Sequence, residues 1–232
     1  MKNWFIILLL PLNLWAHEII VESNEMYYDG NIITLIGQVS VENMMGKITT
    51  EKALLKYDKK KIGKIEFSSI EITQDIKILF PNGSHLNCDF AFIDCIKMTG
   101  HFTGSSKVTY FDEKGEVSAD EAFVDYIEIE KSISLRKIHL INNVKLIFRD
   151  HSQYLLADSL MYYPDKELMI LEGNNEQQVL FFDQADKIQI SAPRLYVLQN
   201  PKTRKHTIQG EGDVRFIFQE EEFKKLKEEF KW

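Results

Sequence analysis

Six histidines (positions 17, 85, 101, 139, 151 and 206), two cysteines (Cys88 and Cys95) and three recurring aspartates (Asp89, Asp120 and Asp158) hold most of this sequence's capacity for acid, base, thiol or metal chemistry. No two histidines form a His-x-His pair or a zinc- or cupin-type spacing, and neither a Gly-x-Ser-x-Gly elbow nor a phosphate loop occurs. The aspartates stand at equivalent places of a repeat, which points to turn chemistry at strand ends more than to one acid and one base. No enzymatic activity, no metal site and no cofactor is therefore expected. The two thiols are separated by seven positions, and the residues between them, centred on Ala91-Phe92, carry no turn chemistry. Two core thiols are favoured over a disulfide.

The elements that would position these residues are strands. Ile33, Leu35, Val39 and Val41 share one parity while Thr34, Gln38, Ser40 and Glu42 take the other, and the alternation returns in Ile70-Glu71-Ile72, Ile76-Lys77-Ile78 and Val144-Lys145-Leu146-Ile147-Phe148. Pro81-Asn82-Gly83-Ser84, Asp112-Glu113-Lys114-Gly115, Tyr163-Pro164-Asp165-Lys166 and Asn200-Pro201-Lys202-Thr203 read as turns that make successive strands antiparallel neighbours. Asn82-Gly83-Ser84 also matches a glycosylation sequon, but the turn reading is preferred.

Two signatures repeat. The first, apolar-x-Gly/polar-x-apolar-x-apolar, is clearest in Leu35 to Val41 around Gly37 and returns around Gln74, Gly100, Asn142 and Gly212, with a degenerate start at Leu171-Glu172-Gly173. The second comprises Thr50-Glu51-Lys52-Ala53, Cys88-Asp89-Phe90-Ala91, Ala119-Asp120-Glu121-Ala122, Ala157-Asp158-Ser159-Leu160 and Ala192-Pro193-Arg194-Leu195, at steps of 38, 31, 38 and 35 residues. Stacked β-hairpin units of this length bury a continuous interior only in register, so residues 17–219 are read as one elongated domain.

Of 232 residues, 44% are hydrophobic, and 28 basic against 35 acidic residues leave a net charge of −7, so nucleic acid is a poor partner. Met1-Lys2-Asn3, the apolar stretch from Trp4 to Trp15 and the small Ala16 read as a cleavable signal peptide over residues 1–16, which implies export. The run is shorter than the roughly 20 residues of a membrane-spanning helix. Residues 220–232 form a charged tail with Phe223, Leu226 and Phe230 at helical spacing, expected to be an amphipathic helix that caps the last strand.

Tyr28-Asp29, Gly37-Gln38-Val39-Ser40-Val41, Thr50-Glu51-Lys52-Ala53 and Tyr57-Asp58, in that order, resemble the OstA/LptA family, with later copies at Ala119-Asp120-Glu121-Ala122 and at Ala157-Asp158 before Tyr162-Tyr163. The resemblance implies an all-β, open twisted β-jellyroll in the periplasm that carries lipopolysaccharide between inner and outer membrane, without a cofactor. It implies contact of lipid A acyl chains with an inward apolar face: Leu35, Val39, Val41, Ile72, Ile76, Ile78, Leu140, Val144, Leu146, Phe148, Val214, Phe216 and Phe218. It also implies docking to inner- and outer-membrane transport components, and head-to-tail self-association, through edge strands near Val21 and Phe216. The alternatives are a structural or adhesin-like β protein, an outer-membrane barrel ending in Phe230-Lys231-Trp232, and an inner-membrane-anchored partner of the same transport system.

Overall fold

The computed structural model describes residues 20–43, 46–57, 67–113, 115–129, 132–148, 153–184, 187–199 and 206–217. The expected leader, the turn at Asn200-Pro201-Lys202-Thr203 and the expected tail helix lie outside them. Among the described residues sixteen strands form one antiparallel sheet: β1 (Ile20–Glu22), β2 (Glu25–Asp29), β3 (Ile32–Asn43), β4 (Gly46–Tyr57), β5 (Phe67–Leu79), β6 (His85–Asp94), β7 (Thr99–Asp112), β8 (Gly115–Ile129), β9 (Ser132–Phe148), β10 (Gln153–Tyr163), β11 (Leu168–Glu172), β12 (Val179–Asp183), β13 (Ile188–Ala192), β14 (Arg194–Gln199), β15 (His206–Glu211) and β16 (Arg215–Ile217). The only helical element among the described residues is a 3-10 turn, Pro164–Lys166.

The chain is a meander folded over along a line. Every long strand loses register near its middle, at Ile36/Val39, Thr49/Lys52, Thr73/Ile76, Asn87/Phe90, Thr103/Val108 and Ser118/Glu121. The pairings on either side of these breaks make two half-sheets. At the ends, β1 pairs the second half of β3 while β2 pairs the first, and β10 is continued by β11 on one half-sheet and by β12 on the other. The first half-sheet therefore ends in β14 and β15, the second in β13 and β16.

The two repeated signatures are the two kinds of corner. On β3, β5 and β9 the corner is a pair of left-handed residues, Gly37-Gln38, Gln74-Asp75 and Asn142-Asn143, with φ between 49° and 75°. Such consecutive positive-φ residues add a bulge that bends the strand, and Gly and Asn tolerate that conformation best. On the intervening strands the corner holds Glu51, Asp89, Asp120 and Asp158, and the aspartates reach across to the next corner. Asp89 Oδ2 accepts from the backbone N–H and hydroxyl of Ser105, Asp120 Oδ2 from Asn143 Nδ2 (2.8 Å) and Asp158 Oδ1 from Asn174 Nδ2 (3.1 Å). In the Glu51 copy the bond comes from Thr50, whose hydroxyl donates to the carbonyls of Thr73 (2.9 Å) and Gln74 (2.8 Å).

One expectation moves. The corner of β7 is at Gly104 to Lys107 and not at Gly100, which pairs Val124 in regular register. Pro193 fills the corner between β13 and β14, where no ladder N–H is required. The described turns behave as their residues dictate: Asn82 Oδ1 accepts from Ser84 N–H (3.1 Å) and Asp112 Oδ1 from Gly115 N–H (2.9 Å).

Alternate residues of both half-sheets point inward and form one main apolar cluster from Ile72 to Val197, with Leu35, Val39 and Ala53 in a second at the N-terminal end. The architecture is an all-β, open jellyroll of repeated antiparallel hairpins.

Candidate functional site

The inward face is organised as rows across the strands. In the first half-sheet, Cα-paired residues run Met26, Leu35, Ala53, Ile72, Ala91, Phe102, Ala122, Leu140, Leu160, Leu171, Leu195 and Gly210. In the second they run Val21, Val41, Ile48, Ile78, Leu86, Tyr110, Val117, Leu146, Leu155, Phe181, Ile190 and Phe216. No charged residue interrupts either row. Large and small residues alternate in the first from Leu35 to Leu140, which lets opposed layers interdigitate there.

Leu35, Val39, Ile72, Ile76, Ile78, Leu140, Val144, Leu146 and Phe148 are all buried, and Val41 is half-buried against Leu35 and Val39. Val214 and Phe216 depart from the buried set. Phe216 keeps the inward parity, opposite buried Ile190, yet is 57% exposed because no strand follows β16 among the described residues; Val214, also exposed, lies over Gly210. Phe218 lies outside the described residues. At the other end Val21 and Met26 keep inward parity and are exposed, Met26 to 67%. Both rows are thus buried in the middle passes; the second is exposed at both ends, and the first at Met26, while its other end, Gly210, is half-buried beneath Val214. Nearby, Tyr28 and Tyr57 stack with ring centroids 6.1 Å apart and share a hydroxyl hydrogen bond.

Among the described residues the buried inward face holds one carboxylate, Asp183, at its rim, accepting from Gln153 Nε2 (2.6 Å); its thiol and phenols are uncharged at ordinary pH. Burial pushes the Cys88 thiol and the Tyr110 phenol up to about 12, and raises the phenols of Tyr126 and Tyr162 further, the latter with help from Glu167 and Asp165. Cys95 is only half-buried, in the turn after β6, and burial raises it to about 11. Of the two expected core thiols, one is in the core. Both are free, and seven residues of strand place them about 20 Å apart.

The polar chemistry lies outside. On the outer face of the first half-sheet, His101 bonds Glu121 (3.0 Å) and stacks on Phe123 (4.3 Å), while His139 bonds Ser159 (3.1 Å). Burial, then Lys137, lowers the His139 pKa, so this imidazole is neutral near pH 7. These pairs form across neighbouring strands from residues 20 apart in sequence, a separation that no local motif reports. Among the described residues no group of three or more His, Cys, Asp or Glu could hold a metal ion, and no helix is long and apolar enough to cross a membrane.

No known protein family and no curated protein matches the chain. Among solved structures, one similar chain is LptH of Pseudomonas aeruginosa, described as the LptA homologous periplasmic component of the conserved lipopolysaccharide transport device. It is 10% identical, with 84% of this chain and 96% of that chain covered and a TM-score of 0.26, so the fold stands on this chain's own strand order and register.

Proposed function

We propose that this chain is a non-catalytic periplasmic carrier of lipopolysaccharide, taking acyl chains along the inward face between the two half-sheets and passing them end to end. The observation that carries the reading is the pair of uninterrupted apolar rows across the sheet, one exposed at both ends, Val21 and Phe216, the other at Met26. Apolar contact, at roughly 25 cal/mol per Å² buried, has no preferred direction, so successive positions along a row hold a chain about equally well and permit sliding. The sugars and phosphates would stay outside in solvent, which reconciles an anionic ligand with an acidic protein. The inward residues of the resemblance, from Leu35 to Phe218, are proposed as acyl contacts, and Val21 and Phe216 as docking edges. Export through residues 1–16 belongs to the same proposal.

The middle passes are closed on themselves, with Leu35, Ile76 and Val144 each 1% exposed. A carrier must therefore part its half-sheets, which the hydrogen-bonded ladder joins only along the corner line. The same burial favours a second reading, a structural β protein with a filled core. Organic extraction of the folded, exported protein separates them: recovery of an acylated saccharolipid is expected, and lipid-free protein would leave the structural reading.

A further inference from the structure

Among the described residues two buried side-chain polar atoms have no hydrogen-bond partner, Tyr126 Oη and Glu167 Oε2. Both lie on the edge of the first half-sheet away from the corner line. Val124, Ile138, Tyr162 and Met169 are Cα-paired in turn, and Tyr126 and Glu167 each stand two residues beyond that row, three strand spacings or roughly 14 Å apart. A register shift after Asp125 leaves Arg136 as the extra residue of β9, exposed, and brings Leu135 opposite Tyr126. The Tyr126 N–H donates to the Met98 carbonyl (2.9 Å), and its ring lies over Gly100, where an added Cβ would be 3.7 Å from Tyr126 Cε2. The side chain is 5% exposed and belongs to the main apolar cluster.

Other phenols of the chain are paired: Tyr27 with Glu25, Tyr28 with Tyr57, Tyr110 with Ser84 and Tyr196 with Glu211. A buried hydroxyl without a bond costs stability that a phenylalanine in its place would not. Burial keeps the Tyr126 phenol protonated, so it offers an O–H to an acceptor. The adjoining inward row, Ile93, Gly100, Val124 and Ile138, has no side-chain acceptor. An acyl chain brings one, because the ester or amide carbonyl at its head enters an apolar interior already joined to hydrocarbon. From Tyr126 to the corner at Asp120 is about 20 Å of strand, lined inward by Val124 and Ala122, so the hydrocarbon has room toward the corner while its carbonyl stays at the rim. A single polar group in an apolar site fixes orientation in this way.

We propose, resting on the carrier reading, that the Tyr126 hydroxyl donates a hydrogen bond to the ester or amide carbonyl of an acyl chain seated between the half-sheets, and so sets the depth at which the chain lodges. The test titrates two probes into the purified full chain: methyl tetradecanoate, and methyl tetradecyl ether, which keeps the length and lacks the carbonyl. The ester should bind severalfold tighter, with its carbonyl stretch lowered in frequency. In Tyr126→Phe the two probes should bind alike and the frequency shift should vanish. Equal binding of both probes to the unaltered chain, or a preference that survives in Tyr126→Phe, would overturn the Tyr126 contact and leave the carrier reading standing. Binding of neither probe would sink both. Urea denaturation supplies a second measurement without lipid: Tyr126→Phe should unfold at the same or a higher urea concentration than the unaltered chain. An earlier midpoint would mean that the hydroxyl is already bonded within the protein, and would equally overturn the contact.

Discussion

At the scale of single residues, a largely apolar interior and a polar exterior divide the chemistry. His139 is a part-buried outer-face group whose titration links pH to stability. Its pKa is lowered on folding, mainly by burial, from the ordinary 6.5. The unfolded chain therefore takes up the proton first, and the contribution of neutral His139 is present above pH 6.5 and lost as pH falls through that value toward the folded pKa. Urea denaturation at about pH 7 and about pH 5 should show a smaller loss in His139→Gln than in the unaltered chain, because glutamine keeps a donor toward Ser159 without titrating. Equal losses in the two proteins would exclude this role. The absence of catalytic spacings was readable in the sequence, whereas the His101–Glu121 and His139–Ser159 pairs were not, since strand register alone brings their members together.

At the scale of elements, the corner is the unit that repeats. Asn142 and Asn143 hold φ of 61° and 53°, a conformation that costs about 1–2 kcal/mol per residue for ordinary side chains and more for β-branched ones. Asn142→Val should lower unfolding stability by at least about 1 kcal/mol while Asn142→Gly stays near the original, as measured by chemical denaturation. A valine variant as stable as the glycine one would mean that the corner does not need the left-handed pair. Much of this element was legible, because bending a strand demands residues that tolerate positive φ, and Gly37, Gln74 and Asn142 mark the places. The steps between Glu51, Asp89, Asp120, Asp158 and Pro193 follow from one corner on every second pass. Gly100 misled because glycine also occurs inside a regular strand: an added Cβ there would meet the Phe102 ring at 3.0 Å, so close packing and not a corner explains it. The exposure of Val214 and Phe216 was hidden as well, since alternation gives the face of a residue and says nothing of whether another strand covers it.

At the scale of the whole molecule, no strand closes the bent meander among the described residues, so both ends of the described sheet present backbone edges beside exposed apolar side chains. Proline at Val21 or at Phe216 should weaken association with copies or partners while leaving the monomer folded, because each lies on a short terminal strand. Normal complex recovery with both changes would remove the edge-docking proposal. The central claim is that the inward rows carry lipid, and it is tested most directly by in-cell photocrosslinking at Val144, which is buried on the inward face, and at adjacent Lys145, which faces outward. Lipopolysaccharide captured at Val144 and not at Lys145 is the result the carrier account predicts. Capture at neither, in protein shown to be folded and exported, would contradict it and leave a structural β protein with a filled core.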